Sequence, residues 1–182
     1  MTRKHCAAAA LGIAFAALGC GYRPLNDDVV RDGSARFTVV GALPSAPYSD
    51  AAAAAEAGAR AELARAGALA TKASEGSPTL SIELLRVDEE AAGIAMDPAS
   101  GAPLARGLRV TVTGRARAWA AGGRSNLLRE TGDVRASVVF SRGPGDAAAS
   151  ASAVKDAARL AGRRLGERLA RRILGLPDPG AE

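Results

Sequence analysis

The sequence predicts an α+β fold: a four-stranded, mostly antiparallel sheet with two helices packed on one face, in the order β-α-β-β-β-α. Three observations predict it. Four segments, 36–43, 79–90, 107–120 and 134–142, are β-branched or alternate apolar and polar residues with a period of two. Two longer segments, about 50–66 and 147–174, carry helix-forming residues and a helical spacing. The last three strand segments follow one another with no helix between them, which suits an antiparallel meander with one covered and one open face.

The opening has the three parts of an export signal: Arg3 and Lys4 for positive charge, an apolar run from Ala7 to Leu18, and the small residue Gly19 before a cut. The run is too short to span a bilayer, which takes about 20 residues. Residues 1–19 therefore read as a removed signal, and 20–35, with Pro24, Asn26-Asp27-Asp28 and Gly33, as a tether. Within a domain expected over 36–176, "RFTVVGAL" (36–43) forms the first strand. "LPSAPYSD" turns the chain, and Ser49 or Asp50 caps the alanine-rich helix that follows. Glu56 and Arg60 stand four apart in the favourable order, and Gly67 stops the helix. Leu63 is the only bulky residue among the alanines of its apolar face, so that small face permits close approach to a sheet.

In the second strand Leu80, Ile82 and Leu84 alternate with Ser81 and Glu83. The third sets Leu108, Val110, Val112, Ala116 and Ala118 on one side. Arg109, Thr111, Thr113, Arg115, Arg117 and Trp119 take the other. Between these two strands, "AMDPASGAPLARG" has the proline and glycine of a projecting loop. The fourth strand turns Val134, Ala136, Val138 and Phe140 inward. Along the last helix Val154, Ala158, Ala161, Leu165, Leu169 and Ile173 recur at three or four. Pro177 and Pro179 follow it, leaving 177–182 as a tail. Arg164, Arg168, Arg171 and Arg172 suit a basic helix lying on an anionic membrane, or, the favoured reading, a solvated flank whose stems cover the core edge.

Composition excludes much chemistry. The chain of 182 residues carries a net charge of +5, which falls to +3 without Arg3 and Lys4. That mild excess does not point to nucleic acid. The single histidine, His5, lies in the signal, as does Cys6, so the mature chain has no imidazole and only the thiol of Cys20. With Lys72 and Lys155 as the only mature lysines, most nucleophile–base pairs and zinc sites are excluded, and no metal or cofactor is expected. Asp88-Glu89-Glu90 is the densest acidic cluster and reads as a solvated strand end. The expectation is a protein that is not an enzyme.

Ala17-Leu18-Gly19-Cys20 resembles the bacterial lipobox, which implies a diacylglyceryl group on the Cys20 thiol, a cut before it and an acylated amine. The family's usual leucine is Ala17 here, and Ala17-x-Gly19 also fits ordinary signal peptidase. An odd cysteine in an exported chain calls for an explanation, and lipidation supplies one. A single acyl chain holds a protein marginally and two hold it stably. Gly21 stands where similar lipoproteins kept at the inner membrane carry aspartate. The resemblance therefore implies an anchor on the periplasmic leaflet of the outer membrane.

The element order, together with "CGYRPL" at 20–25, resembles the LptE family of lipopolysaccharide-assembly lipoproteins. The resemblance spans nearly the whole mature chain in element order and is specific in residues only at Cys20-Gly21-Tyr22-Arg23. It implies a small domain that plugs and helps assemble the LptD β-barrel and assists lipopolysaccharide passage to the cell surface. The implied partners are that barrel, lipopolysaccharide, and the membrane through the anchor. The family has no catalytic residue to carry over. From the residues themselves, Arg109, Arg115, Arg117, Arg129 and Arg135 are expected on the open face, with Thr111 and Thr113 between them and Trp119 at one end. Such a face suits phosphate, carboxylate or an acidic barrel wall, and an ordinary solvated sheet face has the same composition. The alternative function is an auxiliary lipoprotein of a periplasmic lipid-transport ABC system.

Overall fold

The computed structural model describes residues 35–43, 49–70, 76–96, 100–101, 103–122, 124–141 and 147–178. The signal, Cys20 and the tether up to residue 34 lie outside them. The elements are β1 (Thr38–Leu43), α1 (Ser49–Arg65), β2 (Thr79–Met96), β3 (Pro103–Trp119), β4 (Leu127–Glu130), β5 (Val134–Ser141) and α2 (Ala147–Ile173).

The expected α+β architecture is present: a mixed sheet with two helices packed against it. β1 and β2 run parallel, joined through α1, with Thr38 opposite Thr79. The other pairs are antiparallel. β3 is the hub, pairing β2 along its length, β5 from Gly107 to Gly114, and β4 near Trp119. The expectation of four strands is extended by a fifth, β4. Four residues between turns are too few for an alternating pattern to declare itself.

The expected projecting loop is a second difference. β2 and β3 continue through it as a hairpin, pairing Ile94 with Ala105 and Met96 with Pro103. Alanine and glycine carry no apolar–polar contrast, so this stretch has no readable period. Pro103 sits at the ladder's end, where its missing N–H interrupts nothing. Asp88-Glu89-Glu90 consequently lies inside β2 rather than at its end, exposed or half-exposed.

The core follows the period-two and helical patterns. Leu80, Ile82, Leu84, Val110, Val112, Ala116, Ala118, Val134 and Ala136 are buried beneath Leu165, Leu169 and Ile173 of α2. Phe37 and Leu63 complete it at the α1 end. Gly67 and Gly175 end the helices in left-handed conformations. After each, the next N–H reaches back five residues, Ala68 to the Leu63 carbonyl and Leu176 to that of Arg171, at 2.8 Å both times. Glu56 and Arg60 form the expected ion pair at 2.6 Å.

The small face of α1 has another partner than expected. Ala51, Ala55, Gly58 and Ala59 press chiefly on α2 rather than on the sheet. Gly162 and Gly166 of α2 abut the carbonyls of Ala51 and Ala55, and Gly58 abuts that of Arg163. A β-carbon at any of the three would overlap backbone across the interface. The alanine face serves close helix–helix approach because α2 supplies glycine where the helices cross. Beside this contact Glu62, 3% exposed, pairs with Arg65 and, at 2.9 Å, with Arg171.

Candidate functional site

The open face of the sheet is built outward from β3. Alternation sends Arg109, Thr111, Arg115 and Arg117 to this side, while the residues between them enter the core. Strand register then decides their neighbours. On β2, Glu83 faces Arg115, Arg86 faces Thr113, Asp88 faces Thr111 and Glu90 faces Arg109. On β5, Arg135 faces Thr113 and Ser137 faces Thr111; on β4, Glu130 faces Arg117.

The result is a charge-balanced ladder. Arg115 Nε lies 2.9 Å from Glu83 Oε2, and Arg117 bridges Glu83 at 3.5 Å and Glu130 at 2.8 Å. Arg86 pairs with Asp88 at 3.0 Å, and Arg109 meets Glu90 at 4.0 Å. Such half-exposed cross-strand pairs each contribute about 0.2–1 kcal/mol. Their larger effect is to occupy guanidinium donors that a free anion would need.

The expected cationic group is therefore divided. Arg115 and Arg117 are engaged by carboxylates, Arg109 is loosely held, and Arg135 is exposed with no carboxylate partner among the described residues. Arg129 leaves the face. The bulge between Ala118 and Trp119 sets it opposite the core residue Ala118, and its Nη1 donates to the Ile173 carbonyl at 2.9 Å. There it satisfies an end carbonyl of α2 with a positive charge, a favourable place at a helix C-terminus. Residue alternation alone could not reveal a bulge.

Between Arg109 and Arg135, Thr111 Oγ1 and Ser137 Oγ lie 2.9 Å apart. They line an open depression of about 480 Å³, whose rim adds Arg86, Asp88 and Glu90. Thr113 is only 3% exposed, and its Oγ1 has no hydrogen-bond partner among the described residues. Trp119 stands at the β4 end of the face, as expected, with Nε1 buried and likewise unpartnered. The depression can receive a small anion through Arg109 and Arg135, with hydroxyls to complete its hydrogen bonds.

The helix arginines are bound rather than simply solvated. Arg168 Nη1 donates to the Arg135 carbonyl at 2.8 Å and Arg164 Nη1 to that of Ser137 at 3.5 Å. Arg168 and Arg172 also reach Asp178, at 3.4 and 3.8 Å, and Arg171 holds Glu62 and the Pro177 carbonyl. They close the outer edge of β5 and fold the start of the tail onto α2. Among the described residues no helix is long and apolar enough to cross a membrane.

No protein-family model matches the chain, and no curated protein sequence matches it. Among solved structures it is similar in fold to the minor lipoprotein from Acinetobacter baumannii, with a TM-score of 0.50 and 8% identity over 77% of this chain and 91% of that one. A putative lipoprotein from Caulobacter crescentus matches with a TM-score of 0.47 and 16% identity over 80% and 89%. Rare lipoprotein B from Shewanella oneidensis matches with 0.48 and 9% over 77% and 94%. The fold is one carried by bacterial lipoproteins.

Proposed function

We propose that this chain is an LptE-like outer-membrane lipoprotein that seats in a partner β-barrel and assists lipopolysaccharide assembly without catalysing a reaction. The observation that carries the reading is the open sheet face, a ladder of alternating charge opposite the face that packs on the helices. The lumen of an outer-membrane barrel is polar. A wedge seated there needs a face that stays hydrated or ion-paired against the wall, and Glu83, Arg115, Arg117 and Glu130 supply one. Arg109 and Arg135 keep donors for the phosphates of a passing anionic glycolipid. Acylation at Cys20 would hold the domain at the bilayer in which the barrel sits.

The test changes the two arginines that hold nothing tightly. Arg109→Glu with Arg135→Glu reverses charge on the exposed face, removes the loose Arg109–Glu90 contact and leaves the Glu83, Arg115, Arg117 and Glu130 pairs in place. The expected outcome is roughly a tenfold loss of copurified barrel and lipopolysaccharide from outer membranes, the scale of one or two charge-assisted hydrogen bonds, with unchanged circular dichroism. Full retention of both would overturn the reading, and recovery of a lipid-transport ABC complex in place of a barrel would favour the alternative.

A further inference from the structure

β2 and β3 outrun the rest of the sheet. β5 stops at Ser141, opposite Gly107, and beyond that level the two strands run on as a ribbon to the pair Met96 and Pro103. The outer edge of β2 opens earlier still. β1 pairs it only as far as Glu83, so from Arg86 to Met96 its sole strand neighbour among the described residues is β3. A two-stranded ribbon is marginal in water and gains from a third strand. An open row of N–H and C=O groups is a template for one.

Sheet edges are normally blunted by charge, proline or a covering element. β5 shows this, since arginines from α2 take its Arg135 and Ser137 carbonyls. The far half of β2 does not: Ala91–Met96 carries no charge and no proline. Ala91, Ala92 and Gly93 are exposed there, and Met96 is 62% exposed. The approach to this stretch is acidic. Glu90 meets Arg109 only at 4.0 Å, and Glu89 has no cationic partner among the described residues. An unpaired carboxylate beside a loosely paired one repels an anionic bilayer surface and attracts a basic chain.

We infer that the Arg86–Met96 edge takes a third strand from another protein, apolar where it lies along Ala91–Met96 and carrying lysine or arginine where it passes Glu89 and Glu90. Main-chain hydrogen bonds supply the affinity of such strand addition, and the charges set its register. The inference does not need the barrel reading, because its main-chain hydrogen bonds come from the edge of β2, although Glu90 also borders the open face.

The test uses the full lipidated chain in detergent micelles and two synthetic peptides. One is an alternating valine–threonine strand with two lysines at one end; in the other, glutamates replace the lysines. The lysine peptide is expected to slow amide exchange across Arg86–Met96 by about tenfold or more and to bind at least about tenfold more tightly than the glutamate peptide. Glu89→Lys with Glu90→Lys is expected to reverse that preference, with circular dichroism still that of the folded protein and only a small fall in melting temperature from setting Lys opposite Arg109. Absent protection in this stretch, or equal binding of both peptides, overturns the inference. So does protection that grows with protein concentration alone, which makes a second copy the occupant, or protection by phosphatidylglycerol vesicles, which makes it the membrane.

Discussion

Gly166 shows how much one hydrogen atom decides here. It sits where α1 and α2 cross, and a methyl group in its place would enter the carbonyl of Ala55 and the amide of Ala59. Neither helix backbone can yield as a flexible side chain does, so the helices must separate and the packing of Ala55 and Ala59 loosens. Gly166→Ala is expected to destabilise the fold by about 2–4 kcal/mol, read as a lowered urea midpoint. Gly93→Ala, whose β-carbon meets nothing within 4 Å, is expected to change stability by less than about 0.5 kcal/mol. Equal midpoints for the two variants would show that the crossing is looser than described. Glu62 acts at the same interface by another means. Its carboxylate is buried and shared by two guanidinium groups, so losing Arg171 would leave it with Arg65 alone, an exposed partner from its own helix.

Among the elements, β4 matters more than its length suggests. It brings Glu130 to the open face and, through its bulge, Arg129 to the end of α2. One short strand thus joins the ion-pair ladder to the helical layer. Arg129→Met keeps the aliphatic stem and removes the donor to Ile173. It is expected to cost about 1–2 kcal/mol and to speed amide exchange in the last turn of α2. Unaltered exchange there would mean that the Gly175 cap suffices alone. α2 has a comparable role at the opposite edge, where Arg164 and Arg168 bind β5.

At the scale of the molecule, the two layers differ in what they leave outside. The helical layer buries most of its apolar residues in the core and at the α1–α2 crossing, leaving Leu160 exposed, whereas the sheet retains a largely polar face, with Val139 exposed among its charges, and, among the described residues, an uncovered edge along the far half of β2. Cys20 is the group the sequence offers for attachment to a membrane. Mass spectrometry of the mature N-terminus is expected to find Cys20 carrying both thioether-linked diacylglycerol and an amide-linked acyl chain. Cys20→Ser is expected to move the protein from the membrane to the soluble periplasmic fraction without changing its melting temperature. Wild-type protein recovered from the periplasm with an unmodified thiol would remove the anchor from the account.

The sequence by itself determined the order of the long elements, the inward side of each main strand and the stop at Gly67, because side-chain period and glycine's left-handed backbone are local properties; the stop of the second helix is read from the sequence at Pro177, and the structure sets it earlier, at Gly175. It also placed Arg109, Arg115, Arg117 and Arg135 on one face, and raised Cys20 as the anchor. Only the tertiary structure decided what those arginines meet. Period two states the side of a strand and nothing about its neighbour, so the pairing of Arg115 and Arg117 with Glu83 and Glu130 awaited the register. Arg129 escaped through a bulge. The Ala91–Met96 ribbon carried no pattern to read, and the alanine face of α1 fitted any flat surface until Gly162 and Gly166 made α2 the closest one.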